Sequence, residues 1–258
     1  MHAISSIAER SEKRTAPPDG APFRGAVYLP GVLISSRRLV RLLGLTAVTL
    51  AAVSFAAQCV ASSTDSEAVA KLAKWIDVDS EANLPTWFAT MLLAGSSGLC
   101  YLIGRSRSEI GATTSRQWLG LSLVMLFMCI DEAASIHEKV GLLMEPLHLS
   151  GPFYFAWVIP WSVLVLVVGI FFWQFLWQLP SIDRWNIMLA GCVFVGGALG
   201  VEFIEGLVAS AQAEADLRYE LIATVQEVTE MIGIILFIRA VLQVLSRVGG
   251  LRLRITAG

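Results

Sequence analysis

Acidic side chains gather at three places in this chain of 258 residues where the surrounding sequence is apolar. The stretch MCIDEAASIHEKVG, Met128–Gly141, carries Asp131, Glu132, His137 and Glu138 directly after the apolar run Leu119–Ile130. GVEFIEG carries Glu202 and Glu205 at i, i+3. YELIATVQEVTEMIG carries Glu220, Glu227 and Glu230, with Gln226 and Thr229 beside them. Charged carboxylates in hydrocarbon are expensive, so such groups pair, bind a cation or take up protons.

Basic partners are few. Lys139 adjoins Glu138, Arg218 falls at the predicted surface, and the stem of Arg239 can carry its guanidinium towards the cytoplasm. That scarcity points to one or two divalent cations, with Asp131, His137, Glu138, Glu202, Glu205, Glu227 and Glu230 as the expected metal ligands. ExxE pairs on antiparallel helices beside a mixed Asp/His/Glu segment resemble the carboxylate boxes of di-iron bundles, without their Glu-x-x-His pairs. Carboxylate-rich ligation with one imidazole suits Fe, Mn, Mg or Ca better than Zn. With only His2, His137 and His148 in the chain, a histidine-rich desaturase pattern is excluded.

The elements that must carry these groups are membrane helices. The chain is 55% hydrophobic and 16% charged, too little charge for a soluble domain. Six stretches have the roughly 20 apolar residues a bilayer crossing needs. They are Leu39–Val60, Pro85–Gly104, Trp118–Leu143, Phe153–Leu179, Trp185–Val208 and Leu221–Leu245. None alternates like a barrel strand. The predicted fold is therefore all-α, a polytopic membrane protein built as a six-transmembrane-helix bundle. It comprises residues 37–247, with an outer loop at 62–84, a mobile cytoplasmic tail at 1–36 and a C-terminal tail at 248–258. Pro160 is expected to kink the fourth span, where Trp157 and Trp161 are candidates for lining a lateral entrance. Cys59, Cys100, Cys129 and Cys192 are far apart in apolar runs, and are expected to be small buried side chains.

Basic residues set the direction. Arg37, Arg38 and Arg41, then Arg105, Arg107 and Arg116, then Arg184, and finally Arg247, Arg252 and Arg254 mark alternate ends of the spans. The positive-inside rule makes both termini cytoplasmic, N-in/C-in, in a bacterial inner membrane. Asp131, Glu138, the ExxE pair of span five and the acids of span six then all fall in the outer third of the bilayer or at its outer surface. Along a continuous third span Asp131 and Glu138 share one face, flanked by Glu132 and His137. Glu145, His148, Glu214 and Asp216 read as solvated loop residues. In the first outer loop Asp77, Asp79, Glu81 and Asn83 alternate as they would around a hard cation. The competing reading is that Asn83 caps the second span, with Pro85 in its first turn.

Together EANLPTWF, DEAASIHE, EFIEG and QEVTEMIG resemble a set of uncharacterised bacterial six-span membrane proteins with the same order of motifs, a likeness that implies architecture and no reaction. The expected partners are the lipid bilayer and a hydrophobic or lipid substrate; net charge −2 and the lack of a basic patch exclude nucleic acid. The leading expectation is a metal-dependent membrane enzyme, an unliganded acid serving as base for a metal-bound water. The alternatives are a proton- or cation-coupled transporter and a structural or sensory membrane protein.

Overall fold

The computed structural model describes residues 35–106, 111–211 and 217–247. The terminal tails, Arg107, Glu214, Asp216, Arg252 and Arg254 lie outside the described residues. Regular structure in the described residues is helical throughout: α1 Ser36–Ser62, α2 Glu67–Lys74, α3 Leu84–Arg105, α4 Ala112–Ala134, α5 Ile136–Met144, α6 Val158–Gln178, α7 Ser181–Val195, α8 Glu202–Ser210 and α9 Leu217–Arg247. A π-helical segment, Gly196–Val201, joins α7 to α8 as one rod. That rod and α1, α3, α4, α6 and α9 are the six helices long and apolar enough to cross a membrane.

α9 is the axis of the bundle. It packs on α1, α3 and α7, and α3 packs along α4. Small residues make this possible, because without a hydrophobic drive between helices close backbone approach supplies the contact energy. A Cβ on Gly233 would stand 2.6 Å from the Phe194 backbone nitrogen, so α9 meets the α7 rod backbone to backbone there. Ser97 and Ser122 exchange hydrogen bonds between α3 and α4, each hydroxyl donating to the other residue's carbonyl at 2.8 and 2.9 Å.

One apolar cluster, including Cys100, Trp118, Phe175, Ile187 and Val241, fills the bundle at the Arg247 end. There Arg247 donates to both oxygens of the buried Asp183, at 2.7 and 2.5 Å, tying the start of α7 to the end of α9. A second cluster of Ala47, Leu92, Leu93, Met231 and Ile235 joins α1, α3 and α9. α6 touches its neighbours only along short stretches.

Three expectations are corrected. The third span does not run to Leu143: the helix ends at Ala134, Ser135 takes a left-handed conformation (φ 48°), and α5 begins a new axis. Pro160 produces no mid-span kink, because it is the third residue of α6, in a first turn where an N–H has no helical partner to lose. Of the four free cysteines only Cys100 is fully buried, whereas Cys192 is exposed on the outside of the bundle.

Candidate functional site

The site lies at the end of the bundle that carries the loop between α2 and α3. That loop is held by Asn83. Its amide donates to the carbonyls of Asp77 and Ser80 at 2.5 and 2.7 Å, and its Oδ1 accepts the Thr86 N–H at 3.1 Å to cap α3. Pro85 occupies the first turn. Asp77 is consumed in the same turn, accepting from the Ser80 hydroxyl at 2.8 Å and the Asp79 N–H at 3.3 Å. The expected cap of α3 by Asn83 is present. Its product is the placement of Glu81 over the bundle.

Across from Glu81, the break at Ser135 folds α5 back over the end of α4. The His137 N–H donates to Asp131 Oδ1 at 2.8 Å, and the Trp161 indole N–H donates to Oδ2 at 3.1 Å. The His137 ring sits between two carboxylates, with Nδ1 3.4 Å from Asp131 and Nε2 3.6 Å from Glu81. Trp157 leans on the ring with centroids 4.9 Å apart. Burial disfavours a charged imidazole here, but the Asp131 hydrogen bond and the fields of Asp131, Glu81 and Glu132 outweigh it and push His137 up to about 9. Burial raises Glu81 above the ordinary carboxylate range, with His137 pulling the other way. The surrounding carboxylates thus favour the protonated ring over the neutral one.

From α9, Gln226 donates to Glu202 Oε2 at 2.6 Å and reaches Glu230 Oε1 at 3.4 Å. The π segment is what allows this. Its wider turn places Gly197 against the Glu230 backbone, where a Cβ would stand 3.1 Å from the nitrogen, and turns Glu202 and Glu205 inward to full burial. These groups surround one end of a cavity of about 570 Å³. Glu81, Asp131, Glu132, His137, Glu227 and Glu230 line that end, together with Gln226 and the two tryptophans. The remainder is apolar, walled by Met125, Val168, Phe194, Leu199, Ile234 and Phe237 among others. Leu123, Phe127 and Leu164 line the cavity and also stand exposed on the outside of the bundle, so the cavity opens sideways between α4 and α6.

A family model described as a domain of unknown function, DUF8692, matches residues 42–245. The chain belongs to the DUF8692 family. The matched region runs from α1 to the last turns of α9 and contains the whole cavity. No curated protein and no solved structure matches the chain.

Of the seven residues expected as metal ligands, the structure brings Asp131, His137, Glu227 and Glu230 onto this DUF8692 cavity, with Glu202 one hydrogen bond behind. Glu205 is buried beyond Glu202 and faces the Tyr219 hydroxyl. Glu138 is exposed on α5 and does not line the cavity: the heptad spacing to Asp131 holds only along a continuous helix. Lys139 and Arg239 are exposed, as are Glu145 and His148. Among the described residues no three His, Cys, Asp or Glu side chains are grouped as a metal site requires. Both His137 nitrogens face carboxylates in this arrangement. Glu81, Glu132 and Gln226 line the cavity although none of them is among the seven expected ligands. Glu132 adjoins Asp131 and Gln226 adjoins Glu227, so each carried a positional signal; the approach of Glu81 depends on the fold of its loop.

Proposed function

We propose that this DUF8692 protein takes a hydrophobic, lipid-like substrate from the bilayer into the cavity and acts on its polar end through the acids gathered there. The observation that supports this reading is the division of one cavity into an apolar body and a polar end, the usual form of a site that binds by area and orients by a few polar groups. The lateral opening between α4 and α6 provides a route from lipid. Glu227 and Glu230, on the cavity wall and within each other's field, are the candidates for proton transfer to and from the substrate. The distribution of arginines supports an N-in/C-in chain, with the polar end towards the extracytoplasmic side of a bacterial inner membrane.

A divalent cation held by the same acids is the second reading. Metal analysis of the purified protein beside an Asp131→Asn/Glu205→Gln variant tests it. A transporter using the same acids would have to open the apolar cluster around Trp118 and Phe175, which seals the bundle beyond the cavity. Purification in mild detergent followed by mass spectrometry of extracted lipid tests the main reading. A stoichiometric amphiphile is expected with the native chain. It should be depleted from Gly191→Trp, at a cavity position where nothing stands within 4 Å of an added Cβ. Identical extracts containing only bulk lipid would refute it.

A further inference from the structure

We infer that the molecule taken into the cavity is an amphiphile with a cationic, hydrogen-bond-donating head, such as a protonated primary amine, and not a phosphate-headed lipid. This rests on the cavity reading above and specifies its ligand. The first observation is Gln226. It is 8% exposed, it lines the cavity, and its Oε1 is a buried acceptor with no partner. Its Nε2 faces two carboxyl groups, Glu202 and Glu230, and donates to them, which leaves Oε1 as the unpartnered atom. A buried acceptor left unsatisfied is costly, and a small rotation of the amide towards the cavity would let a donor from the occupant complete it. The second observation is independent of the first. Glu81 Oε2, on the α2–α3 loop at the same end of the cavity, is also buried without a partner, and it too can only accept while ionised.

Charge decides between kinds of head. Among the described residues no lysine or arginine lines the cavity, and both nitrogens of His137 already face Asp131 and Glu81. An anionic head would stand beside Glu132, Glu227 and Glu230 without a lysine or arginine to pair it, and each of these acids that is ionised would repel it. An ammonium offers three donors and a compensating charge to the same groups. Trp157 and Trp161, T-shaped to each other with centroids 6.1 Å apart, belong to the same lining, and aromatic rings favour cations over anions.

The test uses the full chain in nanodiscs and brominated single-chain amphiphiles of one chain length that differ only in their head: primary amine, primary alcohol or phosphate. Bromine next to the head quenches Trp157 and Trp161 when bound, and saturable quenching reports affinity. The amine is expected to bind roughly ten-fold or more tightly than the alcohol, with the phosphate weakest, as the loss of a charge-assisted hydrogen bond predicts. Gln226→Leu should narrow the gap between amine and alcohol; the head-group series on the native chain stands without that variant. An alcohol that binds as well as the amine, or a phosphate that binds tightest, overturns the head-group assignment while leaving the cavity reading intact. No saturable quenching by any of the three overturns both.

Discussion

Asp131 and His137 are joined across a broken helix: the His137 N–H donates to Asp131 Oδ1 at 2.8 Å over the left-handed residue Ser135. This one carboxylate caps the start of α5, receives the Trp161 indole from α6 and faces the His137 ring. It holds three helices in register at the polar end of the cavity.

Replacing it should therefore loosen the site before it affects any chemistry. In Asp131→Asn one side-chain oxygen can serve the His137 N–H, but the amide NH₂ then faces the Trp161 N–H, donor against donor. A loss of about 1–3 kcal/mol is expected from the unsatisfied groups. Thermal unfolding in detergent, with Trp161→Phe as background, measures it; if Asn costs the same in both backgrounds, the Trp161 bond contributes nothing.

The same geometry gives stability a pH dependence with a definite sign. His137 has its pKa raised from 6.5 to about 9 by Asp131, Glu81 and Glu132 against the opposing effect of burial. A group whose folded pKa lies above its unfolded one stabilises fully below the unfolded value, and loses that contribution as pH rises through the folded value. The difference in melting temperature between the native chain and His137→Gln should thus be largest near pH 6 and shrink steadily from pH 7 to 10. A gap that widened with pH would mean that His137 is neutral in the folded protein.

At the opposite end Asp183 is 3% exposed and depends on Arg247, whose own side chain is half in solvent. Arg247→Ala leaves a buried carboxylate without its partner, at a cost of about 2 kcal/mol after allowing for the exposure of the arginine. Adding Asp183→Asn should recover part of that loss. The double-mutant cycle, read by thermal unfolding, is the measurement. Additive losses would show that the pair is not coupled.

How much of this was written in the sequence depends on the kind of interaction. Six membrane helices follow from apolar runs, and the cap at Asn83 from Asn-Leu-Pro, because each is local. The gathering of Asp131, Glu227 and Glu230 at one end followed from helix rise and alternating direction alone. The break at Ser135 was hidden: no Gly or Pro marks it, and SIHEKVGLL continues the apolar period of α4. What stabilises a left-handed serine there is tertiary, namely the Asp131 carboxylate and the contact with Glu81. The place of Glu138 was misread for the same reason. The π segment was visible only as GGALG, a run that equally suits plain close packing.

Those glycines carry the last prediction. Gly233 and Gly197 set the distance between α9 and the α7 rod, and with it the position of Glu230. A Cβ on Gly233 would stand 2.6 Å from the Phe194 nitrogen and 2.7 Å from its Cα, both backbone atoms that cannot rotate away. Gly233→Ala must therefore push the rods apart. It should cost about 3 kcal/mol or more, at the upper end of overpacking effects. Gly197→Ala meets the Glu230 Cγ at 2.9 Å and the Glu230 nitrogen and Gln226 carbonyl oxygen at 3.1 and 3.2 Å, so the Glu230 side chain must move while the backbone gives by a few tenths of an ångström. Gly197→Ala should then lower amphiphile binding with a smaller loss of stability, whereas Gly233→Ala should lower both. Gly95→Ala and Gly98→Ala, with nothing within 4 Å of the new methyl, should be neutral or slightly stabilising. Melting temperatures and saturable tryptophan quenching on the four variants separate these outcomes. A Gly233→Ala chain as stable as Gly95→Ala would mean that the two rods do not approach as closely as the structure places them.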